Sequence, residues 1–146
     1  MAFLFAATYP ARTRALILYG ASARYLYADD YPIGTPLESV ERICSFIESN
    51  WGTGVLFGAL CPSAKSNPTL RSEYARFQRL SASPDAAAAY LWDLQHMDVR
   101  AALPHVAAPT LLLRATRDHT DPVERARYWP NASPAPTSSN SIAKIT

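Results

Sequence analysis

At 146 residues the chain has the length of one ordinary domain, and its 49% hydrophobic and 18% charged composition excludes wholesale disorder. A net charge of +2, with 14 scattered basic residues against 12 acidic ones, excludes the basic stripe that nucleic-acid binding needs. Cys44 and Cys61 are the only two cysteines and have no metal-like spacing, and two lone cysteines in a chain of this length set the expectation of a reducing compartment.

Residues 2–9 are helix-forming and almost wholly apolar, and Pro10 stops them. No Lys or Arg precedes Ala2, so the charged start of a signal peptide is missing. No run approaches the ~20 apolar residues of a spanning helix, and the expectation is a soluble, cytoplasmic chain without a membrane partner. Arg14 to Tyr19 follow as a buried strand, with Gly20 permitting a tight exit.

From Tyr25 to Met97 helices alternate with Pro-containing loops. Thr35-Pro36-Leu37-Glu38 forms a capping box, after which Leu37, Val40, Ile43, Cys44 and Ile47 share one face. Cys44 on that face is expected to be a buried thiol. The apolar stretch from Trp51 to Leu60 is interrupted by Gly52, Gly54 and Gly58. Asn67-Pro68 caps a third helix with a Leu70, Tyr74, Phe77, Leu80 stripe. Ser83-Pro84-Asp85 caps a fourth, with Tyr90, Leu91, Leu94 and Met97 expected to face inward.

Pro109 can open a strand, and Thr110 to Leu113 form the short apolar run of a parallel strand covered on both faces. Asp121-Pro122-Val123-Glu124 then reads as a helix N-cap. A carboxylate just past the carboxyl end of a parallel strand, here Asp118, stands where open α/β sheets place their chemistry. Past Trp129 apolar periodicity disappears, and residues 130–146 read as a divergent, disordered tail without stable secondary structure.

Asp98-Val99-Arg100, Leu103-Pro104, Pro109 to Leu113, and Asp118 with Pro122 resemble the segment of the α/β-hydrolase family that carries the triad acid. Phe3 to Pro10 and Arg14 to Gly20 resemble that family's helix after the nucleophile elbow and its next strand. The flavour is similar to the hydrolase domain fused ahead of class III adenylyl cyclases. The resemblance implies an α/β, partial α/β-hydrolase fold: two parallel core strands, Arg14–Tyr19 beside Thr110–Leu113, plus a helical cap, mostly helical by residue count. It implies core at 1–24, cap at 25–97 over the strand ends, and core again at 98–129.

It further implies a small-molecule ester or acyl substrate, no cofactor and no metal, with Asp118 as acid. Trp51, Phe57 and Trp92 are candidates to line the pocket with Ser22 at its mouth, and Tyr90 is a further aromatic candidate. The bland alternative is that these aromatics pack the cap. Acyl transfer also needs a serine on a strained strand-to-helix turn and a histidine base. No Gly-x-Ser-x-Gly occurs, and Gly20-Ala21-Ser22-Ala23-Arg24 lacks the second glycine and the following helix. His96, His105 and His119 are not where the family places its base. Two readings follow: a hydrolase fragment, truncated at both ends and inactive alone, or a non-catalytic helical interaction module that keeps the cap and binds a partner through exposed apolar faces. Self-association through exposed core faces is a further expectation.

Overall fold

The computed structural model describes residues 2–115, 118, 121–122, 124–125, 129 and 141–145. These fall into two compact units, one comprising 1–34 with 97–146, the other 35–96. The helical unit is therefore shorter than the expected 25–97 cap, and residues 25–34 group with the strands.

In the first unit, helix α1 (Ala2–Thr8) runs to a tight turn at Pro10–Arg12 and then to strand β1 (Leu16–Tyr19). Gly20 leaves the strand at φ +56°, a conformation that costs glycine little. Strand β2 (Thr110–Ala115) lies parallel to β1, with Leu16 opposite Thr110 and Tyr19 opposite Leu113. The expected parallel pair is what forms, joined by the long helical insertion that a parallel crossover needs.

Strand β3 (Ser141–Ile145) extends the sheet in the order β1-β2-β3, parallel to β2, with Leu111 opposite Ser141 and Ala115 opposite Ile145. This corrects the expectation that 130–146 carries no stable secondary structure. The far edge of β2 offers a row of N–H and C=O groups that need partners, and a five-residue segment with two isoleucines suffices to supply them. Residues 131–140 of that tail lie outside the described residues.

One face of the sheet is covered. Leu16, Leu18 and Leu112 pack with Phe3 and Ala6 of α1, with Val99, with Leu103 from the turn Arg100–His105, and with Trp129. Phe3 and Trp129 meet edge to face, ring centres 5.7 Å apart. The other face is not covered as expected, for Ile17 and Tyr19 are exposed and Leu111 and Leu113 half-buried. Alternation along β1 puts Ile17 and Tyr19 on the side away from α1, where no described layer covers them.

The second unit holds α2 (Leu37–Asn50), α3 (Phe57–Leu60), α4 (Pro68–Ser81) and α5 (Pro84–His96). Asn67 caps α4 by accepting the Leu70 N–H at 3.1 Å, and Ser83 Oγ accepts the Ala86 N–H at 3.2 Å, as the Xaa-Pro signals imply. Pro36 itself takes the cap position of α2, one residue later than expected, without a side-chain cap bond. Ile47, Ala87 and Ala88 form the central cluster, with Cys44, Trp51, Leu56, Ala82 and Leu91 around it. Cys44 is half-buried rather than fully enclosed, and burial pushes its thiol pKa up.

The expected inward stripe of α4 faces solvent instead: Leu70, Phe77 and Leu80 are exposed, while Ala75 and Gln78 are buried. Tyr90 of α5 is likewise exposed. α4 turns Ala75 and Gln78 inward, where Gln78 Oε1 accepts the Gly54 N–H at 3.3 Å, and this sets the opposite side of the helix toward solvent. Among the described residues no helix is long and apolar enough to cross a membrane.

Candidate functional site

Asp118 follows β2 at its carboxyl end and is half-buried. Its Oδ1 accepts the backbone N–H of Asp121 at 3.1 Å. Asp121, expected only as a helix cap, has a larger part. Its Oδ1 accepts the Ser22 hydroxyl at 2.8 Å and lies 3.9 Å from Arg125 Nη1. Ser22, Asp121 and Arg125 are all buried, and Arg125 also donates from Nε to the Ile33 carbonyl oxygen at 3.4 Å and sits over the Tyr25 ring.

Ser22 therefore does not stand at the mouth of a pocket. It is 1% exposed, and its proton is committed to Asp121. A hydroxyl taken out of water requires such a partner, and a carboxylate is the stronger acceptor. The glycine at the end of β1 marks Ser22 as a residue of the strand's exit, and nothing in the sequence shows that an aspartate 99 residues away would answer it.

A second polar cluster ties the two chain passages flanking the helical insertion. Arg24 and Asp98 form an ion pair and an isolated backbone bridge, and the Val99 N–H donates to the Ala23 carbonyl at 2.9 Å. Arg100 donates to Asp98 through Nε and Nη2 and to Asp30 Oδ2 at 2.8 Å, its guanidinium lying over the Tyr31 ring. The Arg100 hydrogen bonds, helped by Arg24, pull the Asp98 pKa from 3.8 to about 2 against the opposing effect of burial.

The pocket candidates take separate roles within the helical unit. Trp51 donates Nε1 to the carbonyls of Gln78 and Ala82, at 3.0 and 2.9 Å, and lines an open cavity of about 490 Å³ with Arg79, Leu80, Ser81, Ser83 and Pro84. Phe57 is buried against Tyr74, ring centres 5.7 Å apart. Trp92 is partly exposed and stacks on His96, whose Nδ1 bonds the Trp92 carbonyl at 2.8 Å. His105 is exposed at the end of its turn, and His119 lies outside the described residues. Among the described residues no three His, Cys, Asp or Glu side chains cluster as a metal site would require.

No family model matches the chain. Karrikin insensitive 2 receptor B of Petunia hybrida is 29% identical over 114 residues, 77% of this chain and 41% of that protein. A probable esterase of Oryza sativa subsp. japonica is 30% identical over 116 residues, 77% of this chain and 42% of its own length. Among solved structures, the esterase of Exiguobacterium antarcticum superposes with a TM-score of 0.73 at 20% identity, covering 99% of this chain and 55% of the other. The fold is that of the α/β-hydrolases, and the chain carries part of it. It spans about two fifths of the length of the curated relatives it matches.

Proposed function

We propose that these 146 residues provide the acid-bearing strand, its loop and the helical insertion of a cytoplasmic α/β-fold hydrolase acting on a small-molecule ester or acyl substrate. Asp118 is the triad acid in this reading. The observation that carries it is the place of Asp118 just beyond a parallel strand, its carboxylate bonded to the Asp121 N–H. The esterase names of relatives support the substrate class. The uncovered sheet face at Ile17 and Tyr19 supports the need for a further layer, because parallel sheets are stable when both faces are covered.

By themselves the 146 residues are not a catalyst. Gly-x-Ser-x-Gly is absent from the sequence, and the buried Ser22 hydroxyl is bonded to a carboxylate rather than poised beside a base. Triad members act as a unit, so an acid without its partners supplies no fraction of the rate. The test is p-nitrophenyl acetate turnover by the purified chain beside Asp118→Ala and Ser22→Ala, with a fluorophosphonate probe for reactive serine. Equal, blank-level rates and no labelled serine are expected. Multiple turnovers abolished by Ser22→Ala would overturn the reading.

The alternative, a non-catalytic interaction module, draws on the exposed Leu70, Phe77 and Leu80.

A further inference from the structure

We propose that α4 is a self-docking face, across which two copies of this chain pair antiparallel through Leu70, Phe77 and Leu80, with Glu73 of each copy beside Arg76 of the other. The inference does not depend on the hydrolase reading.

The face is defined by what α4 buries. Ala75 and Gln78 turn into the helical unit, so the opposite side of the helix carries Leu70 at 45%, Phe77 at 61% and Leu80 at 76% exposure. From Leu70 to Leu80 the stripe is about 15 Å long at 1.5 Å per residue. Its central aromatic is held in place: Phe57 in the core touches Tyr74, and Tyr74 touches Phe77, ring centres 5.7 and 6.1 Å apart. An aromatic ordered in advance loses little freedom on docking, which is what an interface anchor requires.

Charge decides the occupant. Glu73 and Arg76 sit on the same exposed surface, 3.9 Å apart and each about two thirds exposed. A two-fold interface must be self-complementary, and a stripe with one acid and one base passes that test. Antiparallel pairing centred on the level of Ala75 sets Leu70 against Leu80 of the other copy. The same register brings Glu73 within one residue of the level of Arg76 across the interface. An anionic lipid surface would instead meet Glu73 in the middle of the apolar stripe, a repulsive placement.

The experiment is sedimentation of the full chain from about 1 µM to about 1 mM, the range in which a single-helix interface dissociates. A monomer–dimer equilibrium is expected. Phe77→Asp and Leu80→Asp should raise its Kd roughly thirtyfold or more. Their side chains are exposed, so far-UV circular dichroism should be unchanged. Glu73→Arg and Arg76→Glu should each weaken the homodimer about tenfold, while an equimolar mixture of the two variants forms a heterodimer. A wild-type monomer at every concentration overturns the proposal, as does a mixture that fails to associate. A dimer broken by Ile17→Asp but not by Phe77→Asp moves the contact to the sheet, and a monomer that co-sediments with anionic vesicles moves it to lipid. Either result overturns it too.

Discussion

The two units build their interiors from different materials. The first buries large side chains, Phe3, Leu16, Leu18, Leu103, Leu112 and Trp129, between one sheet face and the segments that cover it. The second is centred on Ile47 and two alanines, and it buries a glutamine of α4, Gln78, completely. Gln78 Oε1 accepts the Gly54 N–H at 3.3 Å and its backbone carbonyl accepts Trp51 Nε1. Sheet-to-helix spacing must be filled by volume, whereas helices brought together over alanine rely on close backbone approach and on hydrogen bonds where approach opens a gap.

That contrast can be broken first on the side of volume. Leu103→Ala should cost about 2–5 kcal/mol in chemical denaturation, the usual range for emptying a buried leucine site. In the second unit the sensitive position is instead a glycine. Gly54 lies at φ +75°, and a Cβ there would stand 2.5 Å from the Arg71 carbonyl oxygen. Gly54→Ala should therefore cost about 1–3 kcal/mol without removing any apolar surface. Removing the cap of α4 with Asn67→Ala should cost about 1 kcal/mol, read as a fall in thermal midpoint.

A pH series sharpens the comparison for the first unit. The Asp98 carboxyl is held down at about 2 from 3.8, so its stabilisation is complete above the higher value and is lost as pH falls through the lower one. Asp98→Asn should accordingly be less stable than wild type at neutral pH, with the gap closing as acid is added. The smallest effect belongs to Tyr90→Ser on α5, which at 71% exposure should shift stability by less than about 0.5 kcal/mol.

How much of this could be read from the chain follows the same division. The parallel pairing of β1 and β2 was legible because two short apolar runs flank a long helical insertion, and the starts of α4 and α5 were legible in Asn67-Pro68 and Ser83-Pro84. The orientation of α4 was not, because periodicity finds a stripe but does not say whether its neighbours approach from that side. β3 was missed because Ser-Ile-Ala-Lys-Ile is too short to announce itself without the edge it pairs with. In the candidate site, the position of Asp118 beyond β2 was legible. The Ser22–Asp121 bond joins residues 99 apart in sequence, and local pattern carries no information about such a pairing.

That distance has a consequence for how the protein is made. At about 5–20 residues per second, β1 leaves the ribosome several seconds before the residues of β2 exist. Throughout that interval Leu16 to Tyr19 lack the partner that β2 will supply, while the local contacts of α2 to α5 can already close. The vulnerable nascent species is thus a formed helical unit whose strand β1 still lacks β2. A charge introduced at Ile17, on the side of β1 that the described residues leave exposed, should raise the yield of these 146 residues recovered from synthesis.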